Sequence, residues 1–387
     1  MTIGLVVVYS ISPGLAASQN VSQNYFISKQ LIDVGLGLAV FALAAFTPSR
    51  WWLKATKPLI IAALIGSAVV MLTPVDEIYR AHRWIRAGGF SFQVAELIKY
   101  ALLVWAAGFL AEQWRRGRLG DFHATFKPLL IVLLGIGIVV AKLQSDFGSA
   151  GVMIAMLGLM VFAVGIPMKR VFLIGALVIL ILGLSIMTTS YRRERLTSFL
   201  HPQEHCLDSS YQACQALVSV GSGGPLGLGL GYSVQAYGYL PEASDDSIFA
   251  IMAEKFGFVG TVIILAIYGV FITRLKRVIE RTSDQFNRLL VVGILAWLST
   301  QMIINVGAMI GLLPIKGITL PLISQGGTSL IFLTAALGLV FQISRYTNYN
   351  VTEPTSSITE NGRSSDRFDG RRVRRPYNTP TATRPRT

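Results

Sequence analysis

The chain has 387 residues, 52% of them hydrophobic and only 14% charged, with a mean hydropathy of +0.56. A soluble domain carries about a quarter charged residues, so most of this chain must face lipid or other helices. A net charge of +14 would suggest nucleic acid in a soluble protein. Here the basic residues gather between apolar stretches, and no nucleic acid is needed to explain them.

Ten apolar segments approach or reach the roughly 20 residues a helix needs to cross a bilayer. They are 2–17, 31–48, 58–74, 93–111, 128–143, 147–166, 171–188, 247–273, 289–312 and 326–344. Lipid offers the backbone no hydrogen bonds, which predicts an all-α integral membrane protein of about ten transmembrane helices. The first segment lacks a basic n-region and a clean cleavage site, so it reads as a span and not a removed signal. Alternate connections carry Arg50, Lys54 and Lys57; Arg115, Arg116, Arg118 and Lys127; Lys169 and Arg170; and Arg274, Lys276, Arg277, Arg281 and Arg288. The positive-inside rule then places both termini in the cytoplasm. A membrane domain, 1–345, is followed by a tail, 346–387, rich in Ser, Thr, Pro, Asn and Arg and expected to be disordered. Its Arg371–Arg375 run suits a solvated tail first, and anionic lipid or a cytoplasmic partner second.

With that topology the longest non-helical segment, 189–246, is extracytoplasmic, and loops of that length tend to be functional. Glycines from Gly221 to Gly231 let backbone pack closely against helices or a ligand. They do not follow the pattern of a nucleotide phosphate loop. The two cysteines, Cys206 and Cys214, fall in this loop, where a disulfide can persist; two free thiols are the alternative. His205 with these cysteines lacks a fourth ligand and the spacing of a metal site.

Ionisable residues in or beside apolar segments are costly and usually have a role. Glu96 and Lys99 stand at i, i+3 and suit an ion pair that pins helix packing or a catalytic pair equally well. Asp146 sits at a tight turn and reads as the cap of the sixth helix. Glu254 and Lys255 lie on the eighth. Asp246, beside Asp245, stands where the polar loop enters the membrane; from position alone it is an N-cap before it is a base.

The motifs in their order resemble the SEDS family (shape, elongation, division and sporulation). They are RWI from Arg83, FSFQVAELIK from Phe90, QSDFGSA from Gln144, YRRERLTSFLHP, YQACQAL, GLGLGYSVQAYGYLPEASDDSIFAIMAEKFGFVG, and NVGAMIGLLPIKGITLPLISQGGTSL from Asn305. The likeness spans 1–345. LLPIKGITLPLIS looks more like division-type, FtsW-like members than elongation-type, RodA-like ones. Ser244, Asp245, Ser247, Val94, Ala95 and Gln325 depart from the family pattern, whereas Gln93, Glu96, Lys99 and Asp246 keep it.

The resemblance implies a peptidoglycan glycosyltransferase that polymerises lipid II, an undecaprenyl-pyrophosphate-linked disaccharide peptide, into β-1,4 glycan at the septum. It also implies a class B penicillin-binding protein and other divisome proteins as partners, besides membrane lipid. Asp246 is the implied base. Arg83, Lys99, Arg192 and Arg195 are candidates for the pyrophosphate, and Gln93, Glu96, Ser324, Gly326 and Gly327 for further substrate contacts. A divalent cation, Mg or Mn, could share the charge, though no ligand cluster marks one. The competing readings are a lipid II flippase, whose polar pathway would also need intramembrane charges, and a divisome scaffold that has lost its chemistry.

Overall fold

In the computed structural model the described residues are 1–72, 83–87, 90–166, 206–207 and 210–347, with single positions 169, 175 and 199. The helices are α1 (Thr2–Gln19), α2 (Tyr25–Phe46), α3 (Ser49–Leu72), α4 (Val94–Arg115), α5 (Lys127–Ile136), α6 (Phe147–Ala163), α7 (Tyr211–Ser222), α8 (Ile248–Arg281), α9 (Gln285–Met309) and α10 (Gly327–Arg345). Among the described residues, eight helical stretches are long and apolar enough to cross a membrane, counting Phe122–Leu143 as one, and α6 is a shorter apolar helix. Every expected span except 171–188 therefore has a counterpart; that one lies outside the described residues, as do Arg192, Arg195 and the tail from 348.

Three features depart from the expectation. A two-stranded antiparallel hairpin, β1 (Trp84–Ala87) and β2 (Phe90–Gln93), precedes α4, with Trp84 opposite Gln93. The segment 189–246, expected to be non-helical, contains α7. The basic residues Arg50, Lys54 and Lys57 lie on α3, and Arg274, Lys276, Arg277 and Arg281 on α8, not in loops. The reason is length: α3 has 24 residues, about 36 Å at 1.5 Å per residue, and the part of α8 beyond Gly257 is as long, past a ~30 Å hydrocarbon core. Their long basic side chains end in the polar zone.

Following the helices end to end, the basic residues at the start of α3, the end of α4 and the last turns of α8 gather at one end of the bundle. The hairpin, the 144–146 turn, the segment 223–247 and the loop 310–326 gather at the other. The core forms around α4, α6 and α9, where Leu103, Leu110, Met153, Met156, Leu290 and Trp297 are buried. Gly293 permits that approach, since a Cβ there would lie 2.4 Å from Leu103 Cδ1 and 2.8 Å from Met160 Sδ. Small-residue packing of this kind is how membrane helices associate. The exposed Leu38, Leu43 and Phe46 of α2 and Ile61, Leu64 and Ile65 of α3 suit contact with lipid.

α8 is broken at Gly257, whose φ of 66° and ψ of −168° are open to glycine alone. The chain from Gly223 to Gly229 fills the break. Leu228 and Gly229 donate backbone N–H bonds to the Glu254 and Lys255 carbonyls at 2.9 and 3.0 Å, and Phe258 and Val259 donate to Gly224 and Pro225 at 2.8 and 3.1 Å. A Cβ on Gly227 would lie 2.2 Å from the Lys255 carbonyl oxygen, which explains the glycine run: it packs on a helix.

Candidate active site

The π-helical turn Gly137–Leu143 ends α5, and Asp146 N donates to Val140 O at 2.9 Å. Such turns recur at functional sites; this one presents Gln144, Ser145 and Asp146 at the end of the bundle away from the basic residues. Asp146 caps α6, accepting from Ser149 N at 2.9 Å, and also accepts from Gln93 Nε2 at 3.2 Å. Arg83, just ahead of β1, donates through Nε to Gln144 O at 3.1 Å and through Nη2 to Ser145 O at 2.5 Å. Its other edge points elsewhere: a Cβ on Gly317 would sit 3.8 Å from Arg83 Nη1 and 3.8 Å from Asp246 Oδ2. A cation and a carboxylate thus face one another across a residue without a side chain.

Asp246 is buried, and its Oδ1 has no hydrogen-bond partner. It is not the N-cap of α8. Ser247 holds that position without a side-chain cap and instead accepts from Gln212 Nε2 of α7 at 3.1 Å. The backbone at Asp246 is fixed by Asn305, whose Nδ2 donates to Asp246 O and Ile318 O, both at 2.7 Å. Burial pushes the Asp246 carboxyl well above the usual carboxylate range, and the charges of Glu242 and Asp245 push it the same way. Burial and Glu242 raise Asp245 as well, against the pull of Lys29. Asp245 keeps part of its surface open, so water limits the effect there.

A cavity of about 560 Å³ opens at Asp245, lined among others by Lys29, Arg86, Glu242, Ser244 and Gln325; Asp246, Arg83 and Gly317 are not among its lining residues. Asp33 of α2 is buried nearby, with Oδ2 lacking a partner, and a Cβ on Gly327 would lie 2.7 Å from its Oδ1. Lys29, Asp33, Arg86 and Glu242 were not singled out from the sequence, and Asn305 and Gly317 entered only as parts of the motif that carries the family likeness. Asp33 inside an apolar stretch was the one signal available.

Other expected site residues have structural partners. Lys99 and Glu96 form a buried ion pair at 2.8 Å, with Lys99 Nζ 5.8 Å from the Trp297 ring centre; neither lines the cavity. Ser324 Oγ accepts from Leu320 N at 2.7 Å. A Cβ on Gly326 would meet Thr319 Cγ2 at 2.7 Å, so Gly326 and Gly327 serve close packing. Glu254 accepts from Ser233 Oγ at 2.5 Å, Val234 N at 2.8 Å and Gln235 N at 3.2 Å, and Lys255 Nζ donates to Leu230 O at 2.6 Å. Cys206 and Cys214 are joined as a disulfide with a Cα–Cα distance of 5.5 Å, at the start of α7. Among the described residues, no group of three His, Cys, Asp or Glu could hold a metal ion.

These features define a multi-pass membrane protein with a buried carboxylate and an arginine confronting each other at one end of its bundle. The family profile of FtsW/RodA/SpoVE cell cycle proteins matches residues 1–349. The chain belongs to that family. A relative from Saccharophagus degradans, described as a probable peptidoglycan glycosyltransferase FtsW, is 36% identical over 89% of each chain. Stage V sporulation protein E of Bacillus subtilis is 33% identical over 90% of this chain and 95% of its own. Among solved structures, a chain of a peptidoglycan synthase complex that coordinates polymerization and crosslinking superposes with a TM-score of 0.70 at 27% identity, covering 89% of this chain and 98% of that one. The rod shape determining protein RodA of Thermus thermophilus gives 0.61 at 27% identity, over 89% and 96%.

Proposed function

We propose that the chain, a peptidoglycan glycosyltransferase by family, polymerises lipid II with Asp246 as the base. The observation that carries this is the buried Asp246 carboxylate, one oxygen without a partner, opposite Arg83 across Gly317. A carboxyl raised by burial and like charges takes up a proton near neutral pH more readily than an exposed one.

In the reaction, Asp246 accepts the proton of the acceptor GlcNAc 4-hydroxyl as its oxygen forms a bond to MurNAc C1 of the donor. The bond from C1 to the undecaprenyl pyrophosphate oxygen breaks on the opposite face, which turns an α linkage into β. The leaving group carries away the electron pair, and Arg83 supplies charge for it through a planar fork suited to phosphate oxygens. A Mg or Mn ion bound with the pyrophosphate would add to that charge, while the residues named here act on the proton and the leaving group directly.

The positive-inside rule puts the basic end and both termini in the cytoplasm and this site on the outer face. The likeness to division-type relatives supports a septal role beside a class B penicillin-binding protein and other divisome proteins. The flippase reading gains one observation, the break in α8. However, the backbone groups freed around Gly257 are taken up by the 223–229 segment.

The test is polymerisation of purified lipid II by the purified chain with its cognate class B penicillin-binding protein, beside Asp246→Asn and Asp245→Asn. Long glycan from the wild type and Asp245→Asn, and none from folded Asp246→Asn, is the expected result. Glycan from Asp246→Asn at near-normal yield overturns the assignment, and loss only in Asp245→Asn transfers it to the neighbour that lines the cavity.

A further inference from the structure

The basic end of the bundle holds a second cavity, about 540 Å³, between the last turns of α8 and the pair α2 and α10. On α8, Leu275 and Val278 share one face and are buried, while Arg274, Arg277 and Arg281, at i, i+3 and i+7, form an exposed stripe along its edge. The opposite wall carries Phe41 and Phe341, whose ring centres are 5.8 Å apart. Among the described residues that line the cavity, none is acidic. Glu280, on the same stretch of α8, lies 3.6 Å from Lys276 on another face.

A trough that is apolar along its floor and cationic along one rim matches a molecule with an anionic head and an aliphatic chain. A small soluble anion would leave the floor empty. An inserted extended peptide would leave backbone groups unpaired at membrane depth. We propose that this groove binds an anionic phospholipid, with its phosphate among Arg274, Arg277 and Arg281 and one acyl chain over Leu275, Val278 and Phe341. Arginine forks bind phosphate oxygens in pairs, and basic pockets between membrane helices are known to take such head groups. The groove lies at the far end of the helix that follows Asp246, so the bound lipid steadies α8 without touching the reacting groups.

The full chain in detergent is titrated with phosphatidylglycerol, phosphatidylcholine, and glycerol phosphate as a head group without a chain. Lipid adducts are read by native mass spectrometry and stability by the thermal midpoint. Phosphatidylglycerol is expected to stay bound and raise the midpoint, and the other two to do neither. R274Q/R277Q weakens that binding about 25-fold, roughly five-fold for each arginine, whereas K276Q, which removes a charge from another face, leaves it unchanged. F341D, at an exposed position, abolishes binding with the arginines intact, and lipid-free midpoints verify that each variant is folded. Equal retention of phosphatidylcholine, wild-type affinity in R274Q/R277Q, or an equal loss in K276Q overturns the proposal. Binding of glycerol phosphate alone reassigns the groove to a soluble phosphate and overturns the lipid.

Discussion

Replacing Glu254 tests how the segment ahead of Asp246 is held. Its carboxylate is buried and accepts three hydrogen bonds, two N–H bonds on Oε1 and the Ser233 hydroxyl on Oε2. Glu254→Ala removes both acceptor oxygens and leaves two backbone donors and a hydroxyl unpaired. Each orphaned group costs about 1–3 kcal/mol; because the losses are coupled and the loop can relax toward water, the expected sum is about 3–5 kcal/mol. Glu254→Gln behaves differently. Its carbonyl oxygen still accepts from Val234 and Gln235, and its amide donates to Ser233 Oγ once that hydroxyl turns, so the expected loss is about 1 kcal/mol. Thermal unfolding in detergent, with limited proteolysis between 223 and 238, measures both. Polymerisation should fall with Glu254→Ala in the same order, because the loosened segment leads directly to Asp246. An alanine variant within 1 kcal/mol of wild type, or a glutamine variant as damaged as the alanine one, would refute the stapling role.

Asp246 acts as a base only when ionised, so polymerisation should rise with pH through its raised pKa, on an acid limb above the ~4 of a free carboxylate. Asp245→Asn removes a like charge, lowers that pKa and moves the limb to lower pH in a kcat/KM profile; a shift upward contradicts the coupling. By linkage, the contribution of Asp246 to stability is full below its unfolded pKa and is lost as pH rises through the higher folded value. Asp246→Asn should therefore unfold with a flatter dependence on pH, as thermal midpoints across that window will register. At Gly317 a methyl has room, 3.8 Å from both Arg83 Nη1 and Asp246 Oδ2. Gly317→Ala should keep activity within about three-fold, whereas Gly317→Leu fills the gap and lowers it about 100-fold without changing the midpoint. Equal activity of the two would mean that the substrate does not pass between these groups.

The sequence alone decided the spans, because lipid leaves a long apolar segment no alternative to helix. The stretches that became α4, α9 and α10 were legible for that reason. The order of the motifs around Arg83, Gln144, Asp246 and Asn305 decided the family. The tertiary structure decided which polar groups meet. Glu254 and Lys255 looked like functional intramembrane charges, but a break in α8 turns them toward the glycine run, and their partners lie some twenty residues earlier in the chain. Glu96 and Lys99, left open between pairing and chemistry, closed on each other because Trp297 and the surrounding core shut out water. Asp246 looked like a cap until the turn before α8 gave that position to Ser247 and Asn305 fixed the backbone beside it. The β-hairpin was hidden too: its four-residue strands are too short for a periodic signal, and its Gln93 and Ser91 are tied to Thr328, more than two hundred residues away. Hydropathy is a sum over neighbours in sequence and survives without coordinates. The partner of a buried charge is set by packing between distant segments, and only the folded chain brings those together.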